Sequence, residues 1–175
     1  MNFLKPVLVT VLLAAGSVTQ VQAVELKESA THDERERQLI IQQTAMINSA
    51  ESLQAYLNDM PSDSPFMALS PSSRERLAAS LKFNEKGVTT FRTDDIEDEL
   101  SVTDAHKLLS LFGAARVISF LPGLRVESDL DRRVRMGYPF RSRPGSLNVT
   151  DYPGYECVSR ATCAAGLNTI CMSGC

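Results

Sequence analysis

The apolar positions in the first half of the chain follow the spacing of an amphipathic helix. Between Asp33 and Met60 they recur in steps of three, four and seven residues, which places them on one helix face. Thr31 and Glu34 have the spacing of a capping box, and Pro61 ends the pattern. We therefore predict one long helix over 33–60, whose buried face carries Leu39, Met46, Ala50, Leu53, Leu57 and Met60.

Capping residues predict shorter helices farther along the chain. One begins at Ser70-Pro71, because serine caps helices well and proline suits the first helical position. A second begins at Ser101 or Thr103, and a third follows Ser128. With the first helix, the pattern predicts three or four helices in all.

Extended structure is predicted only for short segments. Val88–Phe91 is β-branched and aromatic, which is typical of a strand. The apolar run Arg116–Leu121 is too short for its periodicity to decide between strand and helix. The expected fold is therefore mainly α, with at most a small β element of two or three strands.

The composition of the chain changes at Gly137. The residues from there to Cys175 include five of the nine Gly, three of the four Tyr and all four Cys. Such a segment is rich in turns and poor in helix periodicity, so it needs covalent cross-links to hold one shape. We predict a signal peptide over 1–23, a helical globular domain over 24–136, and a loop-rich, disulfide-bonded tail over 137–175.

The first 23 residues have the three parts of a secretory signal peptide. Lys5 is followed by an apolar run over 7–15, and small residues occupy the positions required for cleavage after Ala23. About ten apolar residues are too few to span a bilayer. We therefore expect an exported protein, periplasmic or extracellular, with no transmembrane segment after signal cleavage.

The cysteines all lie between residues 157 and 175. An exported chain enters an oxidising compartment, where an even number of cysteines predicts disulfides. Their spacing lacks the paired short C-x2–4-C sequences of structural zinc sites, although a metal site or reactive thiols are the alternatives. We predict two disulfides, no metal site and no cofactor, with the pairing left open among Cys157, Cys163, Cys171 and Cys175.

Charge is divided unevenly, although the net charge of the whole chain is only −3. Residues 24–106 carry 16 acidic and 8 basic side chains, whereas residues 107–175 carry 5 acidic and 9 basic ones. Two interpretations stay open: a patch for an anionic partner, or pairing of these bases with the acidic cluster over 94–99. Nucleic acid is excluded as a partner, because no basic and aromatic platform or recognition-helix motif is present.

Catalytic chemistry has little support in the sequence. The chain contains two histidines, His32 and His106, and Asp104 is two residues from His106, so the two point to different faces of a helix. The acidic run over 94–99 fails the EF-hand pattern, because Glu99 stands where the loop requires glycine. The sequence therefore favours a protein that is not an enzyme, and we assign no catalytic residue.

The leading hypothesis is an exported binding protein whose cross-linked C-terminal surface contacts an unknown protein or an anionic surface. Tyrosine and arginine are enriched at such surfaces. One alternative is a precursor from which a disulfide-bonded C-terminal peptide is released, and another is an unrecognised exported hydrolase or redox protein. The predicted binding residues are Arg132, Arg133, Arg135, Tyr138, Arg141, Arg143, Tyr152 and Tyr155.

Overall fold

Helices and an antiparallel sheet form the structure, a computed structural model that describes residues 32–138 and 151–175. The predicted signal peptide lies outside these residues, as do Arg141 and Arg143. The described α-helices are α1 (32–43), α2 (Ala50–Asn58), α3 (Pro71–Ser80), α4 (Asp94–Glu99), α5 (Val102–Ser110) and α6 (Asp129–Gly137). Two 3-10 helices, Pro65–Ala68 and Ala115–Phe120, and the strands β1 (Lys82–Asn84), β2 (Gly87–Arg92), β3 (Tyr152–Ser159) and β4 (Thr162–Cys171) complete the list.

The expectation of a mainly α fold with three or four helices and at most a small β element is wrong, since the described residues contain six α-helices, two 3-10 helices and a larger sheet. The strands form one four-stranded antiparallel sheet in the order β1-β2-β4-β3, which makes the fold α+β. The segment expected to be loop-rich supplies the hairpin β3-β4. Its strand β4 pairs with β2 through Thr90↔Cys171 and Phe91↔Ile170, so tail and helical region share one sheet. The position of the domain boundary at residue 137 stays a prediction.

The long helix predicted over 33–60 is two helices. The side chain of Thr44 donates to the carbonyl of Ile40, and the amide of Ile47 donates to the carbonyl of Leu111, outside its own helix. Ser49 then begins α2 with a capping box. Of the predicted buried face, Leu53, Leu57 and Met60 pack in or against the core. Met46 and Ala50 are exposed, because the break at 44–49 interrupts the helical periodicity.

The predicted caps of the shorter helices are confirmed. Ser70 caps α3 with proline at the first helical position, Ser101 caps α5, and Ser128 caps α6. The predicted strand Val88–Phe91 lies within β2. The undecided run Arg116–Leu121 falls in the 3-10 helix Ala115–Phe120.

The core lies between the helices and strand β2. Phe66 and Phe112 meet edge to face, with ring centroids 5.8 Å apart, and both are fully buried. Helix α1 approaches this core closely at Gly113, whose φ is +67° and whose missing side chain makes room for the backbone of α1. The tail contributes Ile170 and Met172, which are buried in the same cluster.

One buried ion pair joins the tail to the helical region. The guanidinium of Arg116 donates to both carboxylate oxygens of Asp151, at 2.6 and 2.9 Å. Gln38 and Ser173 accept further hydrogen bonds from the same guanidinium. Because helix α1, the 3-10 helix Ala115–Phe120 and the tail meet at Arg116, this side chain fixes their positions relative to one another.

Candidate functional site

The hairpin β3-β4 is held by two disulfides, Cys157–Cys175 and Cys163–Cys171. The prediction of two disulfides is confirmed, and the structure supplies the pairing that the sequence left open. The first bond joins β3 to the segment that follows β4, and the second closes a short loop within β4. The hairpin is therefore fixed at both its strands.

A large bulge interrupts the hairpin near its middle. Pro153 pairs with Ile170 and Tyr155 pairs with Ala165, so Gly154 alone opposes the four residues over 166–169. The backbone carbonyl of Asn168 accepts a 2.8 Å hydrogen bond from the amide of Thr93. The bulge is thus attached to the residue that precedes α4, which holds it in place.

Three large apolar side chains near this bulge are open to solvent. Tyr152 and Tyr155 are 40% and 44% exposed, and their rings meet edge to face with centroids 6.1 Å apart. Leu167, in the bulge itself, is 86% exposed. We call Tyr152, Tyr155 and Leu167 the hairpin surface. Exposed aromatic side chains on a rigid support are typical of a protein-binding surface.

The predicted arginines that the structure describes, Arg132, Arg133 and Arg135, lie elsewhere, on helix α6. With Val126, Asp129 and Met136, they line a shallow depression of about 480 Å³. Arg132 pairs with Asp129, and Arg135 donates to the carbonyls of Ile118 and Leu121. Burial lowers the pKa of Arg135, and nearby Glu97 opposes this shift. Two of the three guanidinium groups are thus engaged within the protein, while Arg133 is exposed.

Tyr138 lies in a third place, against His106. Its hydroxyl is 3.4 Å from Nε2 of His106, and the two rings border a cleft of about 250 Å³. Ser110 also lines this cleft, but its hydroxyl donates to the backbone carbonyl of His106 rather than to the imidazole. Arg116, on the same wall, is engaged by Asp151. The described cleft therefore contains no serine–histidine pair arranged for nucleophilic catalysis.

Among the described residues, Arg76 and Arg92, rather than the arginines over 107–175, pair with carboxylates of the acidic cluster over 94–99. Arg92 pairs with Asp94 and lowers the pKa of that carboxyl. Arg76 pairs with Asp95 at 2.5 Å. Glu99 accepts hydrogen bonds from the backbone amide of Ser70 and from nearby hydroxyl groups, which lowers its pKa. These contacts bind the end of α4 to the start of α3, which is a structural role.

The structure thus divides the six predicted binding residues that it describes among three places. It brings Tyr152 and Tyr155 together, puts Arg132, Arg133 and Arg135 on α6, and turns Tyr138 toward His106. Sequence reasoning missed Leu167. Its signal was present, because an isolated leucine between Gly166 and Asn168 is typical of an exposed turn.

Comparisons with protein families, with curated proteins and with solved structures found no match for this chain. Over 32–138 and 151–175, none of the helices combines the length and apolar character needed to cross a membrane. The function is therefore inferred from the geometry of the chain itself.

Proposed function

We propose that this chain is an exported, non-enzymatic binding protein whose hairpin surface contacts a protein partner. The observation that carries the proposal is the exposure of Tyr152, Tyr155 and Leu167 on a hairpin fixed by two disulfides. Large apolar side chains that are already held in place lose little conformational entropy on binding. A fixed apolar surface of this kind favours a protein over a small polar ligand.

A protein partner is favoured over an anionic surface by the state of the arginines. Arg135 is engaged by backbone carbonyls, Arg132 by Asp129, and Arg116 by Asp151. These guanidinium groups would have to leave their present partners before they could bind a phosphate or carboxylate. The tyrosines and Leu167 need no such rearrangement.

The cross-links also support export. Disulfides persist in oxidising compartments, and the chain begins with the pattern of a signal peptide. Intact mass spectrometry of the protein recovered from the medium or periplasm tests this directly. We expect a chain that starts at Val24, has the mass of two disulfides and takes up no alkylating reagent before reduction. A chain that retains residues 1–23, or that alkylates at all four thiols, would contradict export.

Binding is tested by changing the hairpin surface alone. In the triple variant Tyr152→Ser, Tyr155→Ser, Leu167→Ser, the two disulfides and the buried Ile170 are unchanged. The purified proteins are immobilised and exposed to the exported proteins of the producing cell, and each retained protein is quantified by mass spectrometry. We expect a partner retained by the original chain to be lost from the triple variant.

A matched control removes three exposed apolar side chains far from the tail in sequence, namely Met46→Ser, Met67→Ser and Leu130→Ser. This control should retain the partner, because it also replaces three exposed apolar side chains by serine but leaves the hairpin surface unchanged. Equal retention by all three proteins would overturn the assignment of the hairpin surface.

The precursor and the enzyme are less well supported alternatives. Release of the tail from the folded protein would remove β4, which pairs with β2 and buries Ile170 and Met172. For an enzyme, the described lining of the cleft at His106 directs no serine hydroxyl at the imidazole: Ser110 donates to a backbone carbonyl, and the group near Nε2 is the hydroxyl of Tyr138. The binding hypothesis requires neither exposure of the core nor a catalytic group beyond those in the described cleft.

A further inference from the structure

The two disulfides of the hairpin lie against each other. The sulfur atoms of Cys157, Cys171 and Cys175 all lie within 4.8 Å of one another. Cys157 and Cys175 are bonded, whereas Cys171 belongs to the other disulfide. The Cys171 sulfur is therefore close to both sulfurs of the neighbouring bond. A thiolate formed there has a disulfide within a short movement, which is the requirement for exchange.

The two disulfides also border one depression that is open to solvent. Cys163 and Cys175 line it, and its volume is about 340 Å³. Among the described residues, Lys86 also lines the depression, and positive charge favours the thiolate form of a cysteine. The depression gives an external thiol access to the Cys163–Cys171 bond.

Exposure distinguishes the two sulfurs of the Cys163–Cys171 bond. Cys163 is half-buried, whereas its partner Cys171 is fully buried. An attacking thiolate can reach Cys163, and the electron pair of the broken bond is then left on Cys171. Cys171 lies beside the second disulfide, so the leaving group of the first step becomes the nucleophile of the second.

We infer that the chain captures an external thiol as a mixed disulfide at Cys163. The external thiol loses its proton, its sulfur bonds to Cys163, and the bond from Cys163 to Cys171 breaks. The Cys171 thiolate then bonds to Cys175, and the bond from Cys175 to Cys157 breaks. The half-exposed Cys157 receives the electron pair and takes a proton from water, so one thiol is consumed and one is released.

The exchange removes the cysteine that would otherwise expel the captured thiol. In an ordinary mixed disulfide the former partner cysteine attacks again and expels the captured group. Here Cys171 is bonded to Cys175 after the second step. The released Cys157 lies opposite Cys163 in the register, so a Cys157–Cys163 disulfide without the captured thiol is the competing product. The inference does not depend on a protein partner at the hairpin surface, since a small thiol is sufficient.

Glutathione is the probe for the test. The full oxidised protein is treated with glutathione at pH 8 for short times and quenched with an alkylating reagent, and its peptides are then mapped by mass spectrometry. We expect one glutathione on Cys163, an alkyl group on Cys157, and a disulfide between Cys171 and Cys175. Glutathione on Cys163 with the Cys157–Cys175 bond intact would overturn the second step. Glutathione on Cys157 would overturn the assignment of Cys163, and absence of any adduct would overturn the capture.

A double variant removes only the second disulfide. In Cys157→Ser, Cys175→Ser the bond between Cys163 and Cys171 is retained, but Cys171 has no neighbouring disulfide to attack. We expect this variant to lose the stable adduct, because Cys171 expels the glutathione. An adduct equal to that of the original chain would contradict retention by exchange.

A second pair of variants tests the exchange without an external thiol. Cys163→Ser leaves Cys171 as a thiol inside the three-sulfur group, and we expect part of the protein to contain a Cys171–Cys175 disulfide and a free Cys157. Cys171→Ser is the matched control, because it leaves Cys163, whose sulfur lies outside that group. The control should keep the Cys157–Cys175 bond. The same pairing in both variants, with folding verified by circular dichroism, would overturn the inference.

Discussion

Strands β2 and β3 belong to the same sheet but are stabilised in different ways. Five of the six residues of β2 are buried, whereas none of the eight residues of β3 is. Strand β2 is held by its apolar contacts with the helices, while β3 is held by its pairing with β4 and by a disulfide. A strand that buries little apolar surface needs a covalent bond to stay in one conformation. Its side chains are then free to contact another molecule.

From this comparison we expect the largest loss of stability for a substitution in the helical core. Phe112→Ala should lower the free energy of unfolding by about 3–5 kcal/mol, because it removes a fully buried ring and leaves a cavity against Phe66. Denaturant unfolding at neutral pH measures the change. Tyr155→Ala, on the exposed strand, should cost less than about 1 kcal/mol. Equal losses for the two variants would mean that the two regions are not stabilised differently.

The next largest loss of stability is expected for the ion pair of Arg116 and Asp151, which joins the tail to the helical region. Arg116→Ala leaves the carboxylate of Asp151, which is 1% exposed, without its cation, so we expect a loss of about 3 kcal/mol. Arg37→Ala serves as the control, because Arg37 pairs with Glu34 at the surface and such pairs contribute less than about 1 kcal/mol. Thermal unfolding of both variants in parallel compares them. A loss for Arg116→Ala no larger than the control's would contradict this role.

Removal of a disulfide should have an effect of similar size but confined to the hairpin. Cys157→Ala with Cys175→Ala opens a closed loop with a sequence separation of 18, for which we expect a loss of about 3 kcal/mol. The Cys163–Cys171 pair spans a separation of only 8, so its removal should cost less. Amide hydrogen exchange should show faster exchange in β3 than in β2. Uniformly faster exchange over the whole chain would contradict a separately stabilised hairpin.

For Asp131 we expect a smaller effect on stability, and one that depends on pH. Its buried carboxylate accepts hydrogen bonds from the backbone amides of Thr103, Glu127 and Ser128, and these bonds hold the pKa of Asp131 far below its usual range. The stabilisation is complete above about pH 4, the ordinary pKa of aspartate, and is lost as the pH falls toward the folded-state pKa. Asp131→Asn should therefore cost about 1–3 kcal/mol at pH 7 and progressively less below pH 4.

The test measures the free energy of unfolding of Asp131→Asn and of the original chain from pH 7 to pH 3. Asp98→Asn is the control, because Asp98 is exposed on α4 and its removal should change stability by less than about 0.5 kcal/mol. A difference between Asp131→Asn and the original chain that stays constant with pH would contradict the role of the carboxylate.

The smallest effect is expected at the hairpin surface. Leu167→Ala should change stability by no more than about 0.5 kcal/mol, because the side chain is exposed in the folded protein. Ile170→Ala, three residues farther along the same strand, removes a buried side chain and should cost about 2–5 kcal/mol. Melting temperatures distinguish the two. A large loss for Leu167→Ala would mean that Leu167 has a structural rather than a binding role.

Local signals predicted the helix starts well. Ser70, Ser101 and Ser128 each accept a hydrogen bond from a backbone amide of their own helix, so the information lies within a few residues. The break in the first helix was missed because it depends on Ile47 bonding to Leu111, a residue distant in sequence. Apolar spacing alone did not show this contact.

The hairpin was missed for a related reason. Strand β4 contains small residues, a glycine and a positive-φ asparagine, which do not alternate as in a half-buried strand. Its position is determined by pairing with β2, about 80 residues earlier in the chain. The register places Cys157 opposite Cys163, yet these neighbours bond to Cys175 and Cys171 instead. Part of the candidate site could be predicted, since Tyr152 and Tyr155 were identified, but the exposure of Leu167 depends on the bulge.

The strand order also determines when the sheet is completed. Strand β4 lies between β2 and β3, although it follows both in the chain. A chain that emerges N-terminal end first exposes the open edge of β2 until β4 arrives, and pairing over so long a separation is slow. An unpaired strand edge favours aggregation. We therefore expect the edge of β2 to need protection until β4 pairs with it.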